Sequence, residues 1–471
     1  SQEAQAARLR PPGLRPLTPG IAMPLRSSPV RWLLAQRAAG VPGPAGPALP
    51  HAAPAAVGLC QKRLGHLDAF FRSAVAGEPL RGRPPLGPLA GCVLGVARRG
   101  QLCHLSALGS RDAEAGSAMQ EDTIFRIYSM TKIVTSVALL QLYEKGLFQL
   151  EDPVYSVLPG FKDFVVNKTR DGEVDTEPLR QHITFRHLLT HTSGLTYGIF
   201  EDTPVGARYT QAGLLGAPWT PMGLAEFTDA LPKQVPLKFQ PGEGFIYGVS
   251  TDVVGRLVEV LSGQPLDAYL QEHIFGPLCM ADTGFCVTPE GAGRLAAMYE
   301  AGADGRLQAC KNWLGALNTE VPVGQLPPFL SGGAGLVSTV PDYFRFGLML
   351  AGKGALGPVR VLGRKTVELM ARNHLPGGRD LAALGGAMND FHHTRGLGWG
   401  LGVAVVLSDE MGLHCSPGTY FWQGLGSTYF FHDPLEDLTV VAMTQFLPCF
   451  APQVFHLNHA LRSLASQAIV D

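Results

Sequence analysis

Charge is scarce in this chain. Of its 471 residues only 16% are Asp, Glu, Lys or Arg, and the two signs nearly cancel, leaving a formal net charge of −1. A chain so balanced carries no electrostatic footprint for a nucleic acid. Long apolar runs are also missing. No stretch of about 18 residues is free of charges and helix breakers, which argues against a membrane-spanning helix. The eight cysteines, at 60, 92, 103, 279, 286, 310, 415 and 449, form no Cys-x-x-Cys pair, and none stands at zinc spacing from a histidine. They are expected to be buried or idle thiols, and neither a metal nor a cofactor is expected. Hydrophobic residues make up 46% of the chain, enough for one large core or two lobes.

One kind of charge is missing locally. No acidic residue lies between Glu3 and Asp68, while Arg8, Arg10, Arg15, Arg26, Arg31 and Arg37 stand in a segment rich in Pro and Ala. That bias fits an organelle transit segment, mitochondrial for instance, or an arm that docks on a protein partner through residues 1–60. Residues 1–64 therefore read as an extension and 65–471 as the folded body.

In the body, Leu67 to Val75 reads as a short amphipathic helix. Leu89 to Val96 and Leu102 to Leu108 read as strands joined at Arg98-Arg99-Gly100. A helix from about Ser129 to Lys145 is apolar nearly all round, so it is expected in the core, with Gly146 as its stop. Leu224 to Leu231, Ser250 to Leu261 and Leu266 to Ile274 are helix candidates. Strand patterns return at Trp399 to Val406, Thr419 to Trp422, Ser427 to Phe431 and Leu438 to Thr444, before a last helix from about Pro452 to Ala468. Strands near both ends with helices between predict an α/β (α+β) fold. One antiparallel sheet, flanked by helices, would be built from both termini, with a mainly helical lobe over about 150–330 inserted beside it.

Three short segments can carry chemistry. Ser129 and Lys132 are three residues apart at the start of the apolar helix, so they share a face one turn apart. A serine hydroxyl needs a base to become a nucleophile, and a desolvated lysine supplies one. Tyr247, in a Gly-punctuated turn that leads into a helix, could pass protons between nucleophile and leaving group. Trp422, Gln423 and Gly424 end a strand before a Gly-rich turn, where backbone N–H groups can meet an oxyanion. Taken singly, these segments are equally a chance Ser-x-x-Lys match, a packing tyrosine and an ordinary hairpin.

Together and in this order, they resemble the serine beta-lactamase-like superfamily, which includes class C beta-lactamases, D,D-peptidases and class VIII carboxylesterases. The likeness runs over about residues 65–465. It extends to Thr123-Ile124-Phe125-Arg126-Ile127-Tyr128 before Ser129, to Ile183-Thr184-Phe185-Arg186-His187-Leu188-Leu189-Thr190-His191-Thr192-Ser193-Gly194-Leu195, to Ser331-Gly332-Gly333-Ala334-Gly335-Leu336, and to Gly396-Leu397-Gly398-Trp399-Gly400. The resemblance implies a beta-lactamase/transpeptidase-like fold with Ser129 acylated, Lys132 as its activator and Tyr247 as the third catalytic group. It also implies an oxyanion site at the N–H groups of Ser129 and Leu425. Where the lactamases have Lys-Thr-Gly, this chain has Trp422-Gln423-Gly424, close to the Trp-Gly-Gly of esterase members. Gln423 would add bulk beside the acyl group, and Val249 removes a polar contact that lactamases make with substrate.

The function that follows is hydrolysis of a short acyl ester, or a related amide, through a Ser129 acyl-enzyme. An acyltransferase would share every one of these residues. A non-catalytic subunit, docked through the arginine-rich arm, is the reading from a different class. His187 and His191 stand four apart but lack the Glu of a His-Glu-x-x-His site, and neither they nor the adjacent His392 and His393 are expected to hold a metal.

Overall fold

β-Branched and aromatic residues crowd the segments that form the central sheet of this molecule. The computed structural model describes residues 49–78, 89–168, 175–198, 203–216, 222–313, 317–385, 394–408 and 414–471. The sheet's strands are β1 (Gly91–Arg98), β2 (Gln101–Asp112), β3 (Ser117–Ala118), β4 (Leu397–Trp399), β5 (Ala404–Val406), β6 (Tyr420–Gly424), β7 (Thr428–Asp433) and β8 (Leu438–Met443). They lie in the order β4-β5-β6-β7-β8-β1-β2-β3, with antiparallel neighbours throughout. The two ends of the body meet where β1 pairs β8, with Val93 opposite Met443 and Val96 opposite Val440. The sheet expected from the two chain ends is therefore present.

Both faces of the sheet are covered, which is why β1 is buried at every position. The main helices are α1 (Gln61–Ala76), α2 (Thr131–Glu144), α3 (Phe185–Leu189), α4 (Leu224–Gln234), α5 (Ser250–Ser262), α6 (Val340–Ala351) and α7 (Pro452–Ser466). α6 lies against one face. There Gly95 admits it so closely that a Cβ would sit 2.3 Å from the Phe344 ring. α1 and α7 pack together, and α1 rests on β2. Strand alternation puts Phe430 on the α6 side, where it meets Tyr343, and Tyr429 on the α7 side, where it meets Arg462. α2 is buried at every position from Thr131 to Leu140 and packs against α5.

Four local readings need correction. The apolar run Trp399 to Val406 is not one strand but a hairpin, with Trp399 opposite Ala404. Gly402 turns the chain there at φ 91°, and a Cβ on it would meet Ser136 Oγ at 2.0 Å. The helix at Leu266 changes to a π-helical turn over Gln271–Phe275. Ser129 precedes α2 in a 3-10 turn, Tyr128–Met130, rather than opening the helix itself. The folded body also begins earlier than Gly65. His51 bridges Leu102, Leu59 bridges Ile469, and α1 starts at Gln61. The arginine-rich arm up to residue 48, and His392 and His393, lie outside the described residues.

Candidate active site

The approach to Ser129 is strained. Tyr128 takes a positive φ of 39°, a conformation that is uncommon away from glycine and is held here by a buried ring. The Tyr343 hydroxyl donates to the Met130 carbonyl at 3.0 Å, and the Leu336 amide donates to Thr131 Oγ1 at 3.2 Å. These bonds fasten the turn to α6 and to the Ser331–Leu336 segment.

Lys132 is wholly buried and makes three hydrogen bonds. Its Nζ donates to Gly333 O at 2.8 Å and to Tyr197 Oη at 3.1 Å, and it lies 3.0 Å from Ser129 Oγ. A neutral amine has two N–H bonds and one lone pair. With Gly333 and Tyr197 taking the two N–H groups, the lone pair points at the serine hydroxyl. Burial pushes the amine down to about 7, against the opposing pull of Asp252. A base that is neutral just above pH 7 can accept the proton of Ser129.

Tyr247 closes the other side. Its hydroxyl is hydrogen-bonded to Ser129 and receives the indole N–H of Trp422 at 3.0 Å. Burial holds this phenol well above the usual tyrosine range, so it rests protonated. Lys132 Nζ lies 4.5 Å from the centre of its ring. Trp422 is wedged between Tyr247 and Trp399, with ring centroids at 5.2 and 4.5 Å. Ser129, Lys132, Tyr247 and Trp422 thus converge on one spot, from three segments distant in sequence.

Gly424 and Leu425 bring the end of β6 to the same spot. A Cβ on Gly424 would stand 2.3 Å from Ile127 O, so only glycine lets the strand press against the turn that carries Ser129. Leu425 follows at once, its carbonyl tied by the Cys449 amide at 2.9 Å. Gln423 behaves differently from the expectation drawn from sequence. It pairs opposite Tyr429, on the α7 side of the sheet. Its Oε1 accepts from Asn458 of α7 at 3.1 Å, and its Nε2 points to Cys449 Sγ at 3.8 Å. Its side chain is engaged with α7 and not with Ser129, because neighbouring residues of a strand face opposite ways and Trp422 takes the Tyr247 side.

Two side chains at the site were not expected from the sequence. Tyr197 bonds Lys132 directly, and Asp252, buried on α5, stands behind the lysine. Their signals were faint: Tyr197 follows the Thr-Ser-Gly turn by three residues, and Asp252 lies one helical turn past Val249. The histidines have structural tasks. His187 caps α3, accepting from the Thr184 amide at 3.2 Å, and burial pushes it down to about 4. His191, buried beside Tyr247 at a centroid distance of 4.6 Å, is held neutral by desolvation and by Lys132. Among the described residues no group of three His, Cys, Asp or Glu is placed to hold a metal. None of the eight cysteines is in a disulfide.

Comparison with known proteins agrees with the fold. The family model for beta-lactamases matches residues 67–452. Esterase EstB of Burkholderia gladioli is 34% identical over 392 residues, which span 80% of this chain and 89% of EstB. The solved structure of EstCE1, a hydrolase with promiscuous acyltransferase activity, matches with a TM-score of 0.69 at 25% identity, over 86% of this chain and 99% of EstCE1. Simvastatin synthase (LovD) from Aspergillus terreus matches with a TM-score of 0.69 at 26% identity, over 86% of this chain and 98% of that one.

Proposed function

The chain belongs to the beta-lactamase family, and we propose that within it this protein is a serine esterase acting on small neutral acyl esters. The observation that carries the reading is the buried amine of Lys132, 3.0 Å from Ser129 Oγ. Ser129 Oγ attacks the ester carbonyl as its proton passes to Lys132. The new oxyanion is met by the N–H groups of Ser129 and Leu425. On collapse the C–O bond to the alcohol breaks, and the leaving oxygen takes a proton from Tyr247, which recovers one from the lysine ammonium. Water repeats the sequence on the acyl-enzyme and releases the acid. Trp422 holds the Tyr247 hydroxyl by a neutral donor, so the phenol keeps its proton until the leaving group calls for it.

An alcohol or amine could take the place of that water. The likeness to simvastatin synthase and to EstCE1 supports acyl transfer as the second reading. The arginine-rich, acid-poor arm supports delivery to an organelle such as the mitochondrion, or docking on a protein partner, and import of an arm–reporter fusion tests the first of these. For the enzyme reading, a fluorophosphonate should label Ser129 and a p-nitrophenyl butyrate assay should show turnover, both lost in Ser129→Ala. Unchanged turnover in Ser129→Ala would remove the serine from its role. An unlabelled, inactive wild type would favour a non-catalytic subunit. Adding an alcohol acceptor and analysing products separates hydrolysis from transfer.

A further inference from the structure

The segment Ser331-Gly332-Gly333-Ala334 does no chemistry in the scheme above, yet it is wedged between α2 and α5. A Cβ on Gly332 would sit 2.6 Å from Thr251 O and 2.9 Å from Thr135 Cγ2. One on Gly333 would sit 2.9 Å from Asp252 Oδ2 and 3.2 Å from Tyr197 Oη. The turn's carbonyls face α2: Gly332 O accepts from Thr135 Oγ1 at 2.8 Å and Gly333 O from Lys132 Nζ at 2.8 Å. Its other side is held by Asp252. Oδ1 of that carboxylate accepts from Ser331 Oγ at 2.5 Å and from the Gly333 amide at 3.0 Å. Ser331 Oγ in turn accepts from the Ala334 amide at 2.9 Å.

The second oxygen, Oδ2, is buried and has no hydrogen-bond partner among the described residues. Leaving such an oxygen bare is costly to the fold, so its retention asks for a reason. Its surroundings supply one. Oδ2 lies on the side of Gly333 that also faces Tyr197, the partner of Lys132. The groups that face Lys132 from its neighbours are Asp252 from α5, Tyr197, Tyr247 and the neutral His191. The Ser331–Gly335 turn and β6 contain no charged residue. Asp252 is thus the one anion among these groups.

We infer that Asp252 is the positioning residue of the general base: Oδ1 builds the turn that aims Lys132 at Ser129, and the charge on the unpartnered Oδ2 side stabilises the ammonium formed when Lys132 takes the serine proton. This rests on the reading of Ser129 and Lys132 given above. The proton moves from Ser129 Oγ to Lys132 Nζ and no further, and Asp252 exchanges nothing. Its carboxylate is fixed before the reaction begins, so the ammonium gains a counter-charge with no rearrangement.

The test follows the rate of fluorophosphonate labelling of Ser129 against pH, a readout that needs no natural substrate. In wild type the rate should rise through about pH 7 as Lys132 becomes neutral. Asp252→Asn keeps the Oδ1 acceptor and removes the charge. Its limb should move down by about one pH unit or more, the usual effect of losing an opposite charge nearby, and its plateau rate should fall at least tenfold. Ser331→Ala keeps the charge and loosens the turn, so its plateau should fall while its limb moves by less than about half a unit. A limb that stays put in folded Asp252→Asn, judged by circular dichroism and melting temperature, would overturn the charge role. A Ser331→Ala plateau equal to wild type would overturn the turn role. If Asp252→Asn does not fold, Asp252→Glu decides: it restores the charge and should keep the wild-type limb, and a limb displaced as far as one unit rejects the inference. Failure of wild type to label at any pH would instead reject the esterase reading itself.

Discussion

A lysine with almost no exposed surface and an amine pushed down to about 7 is a liability to the fold and an asset to the site. The folded state sheds the proton near pH 7 and the unfolded chain near 10.5, so between these values the unfolded chain binds more protons. Stability therefore rises with pH across that window, and the full burden of the buried charge is felt below pH 7. Lys132→Met should abolish turnover, but it strands Asp252 without its counter-charge. The double variant Lys132→Met/Asp252→Asn should melt at or above wild type, most clearly at pH 6, because replacing both members of a buried charge pair by uncharged groups costs little. The difference between the double variant and wild type should shrink between pH 6 and pH 9 in scanning calorimetry. A double variant that melts several degrees lower at pH 6 would show that the hydrogen bonds of the pair outweigh its desolvation. Ser129 and Lys132 were legible because one helical turn is a rigid ruler. Asp252 was not, because an acid near the start of a helix reads first as a partner for the helix dipole. Nothing in the residues around Tyr197 sets it apart from a packing aromatic. Gln423 was misplaced for a different reason: in a strand buried on both faces, sequence gives the alternation but not which face is which.

Among the elements, β6 does the most for the site, and it does so through the absence of a side chain. Gly424 lies against Ile127 O and Thr428 Oγ1, each 2.3 Å from where a Cβ would be. The first of these is backbone and cannot rotate away. Gly424→Ala should push β6 off the Ser129 turn and carry the Leu425 amide with it. Displacements of about 1 Å at a reacting centre can lower a rate by about 10²-fold, so kcat for a butyrate ester should fall by at least roughly tenfold. KM should change much less, since Trp422 and Tyr247 stay tied by their own hydrogen bond. Unchanged kcat in this variant would mean that the strand edge is not the oxyanion site. The sequence signalled β6, β7 and β8 plainly, since each is short, aromatic or β-branched and bounded by turns. It concealed the β4–β5 hairpin because Trp399 to Val406 is apolar throughout. Only the fit of Gly402 against Ser136 shows that the chain must turn there.

For the whole molecule, strands near the two ends of the body announced a sheet built from both termini, and that topology sets β6 against the turn that carries Ser129. The same logic hid residues 49–60, which read as the end of the Arg-, Pro- and Ala-rich arm until their bridges to Leu102 and Ile469 were seen. What the assembled site then selects can be argued from its charges. A beta-lactam carries a carboxylate that needs a cation or a strong donor where it lies along the strand. On β6 that place is taken by Trp422, whose single N–H is already committed to Tyr247 at 3.0 Å. Val249, fully buried, offers no polar atom from its side chain. The unpartnered oxygen of Asp252 adds a negative field behind the lysine. An anionic substrate thus meets a site whose described residues named above offer no spare cation, because Lys132 must be neutral to act. A small neutral ester forfeits nothing there, since it brings no charge that must be met. The ratio of kcat/KM for p-nitrophenyl butyrate to that for a chromogenic cephalosporin should accordingly exceed about 10², the scale of losing one charge-paired hydrogen bond and leaving a carboxylate unmet. Trp422→Lys should narrow that ratio, by putting a cation on β6. If wild type prefers the cephalosporin, the carboxylate is received elsewhere, and the indole of Trp422 serves only to hold Tyr247.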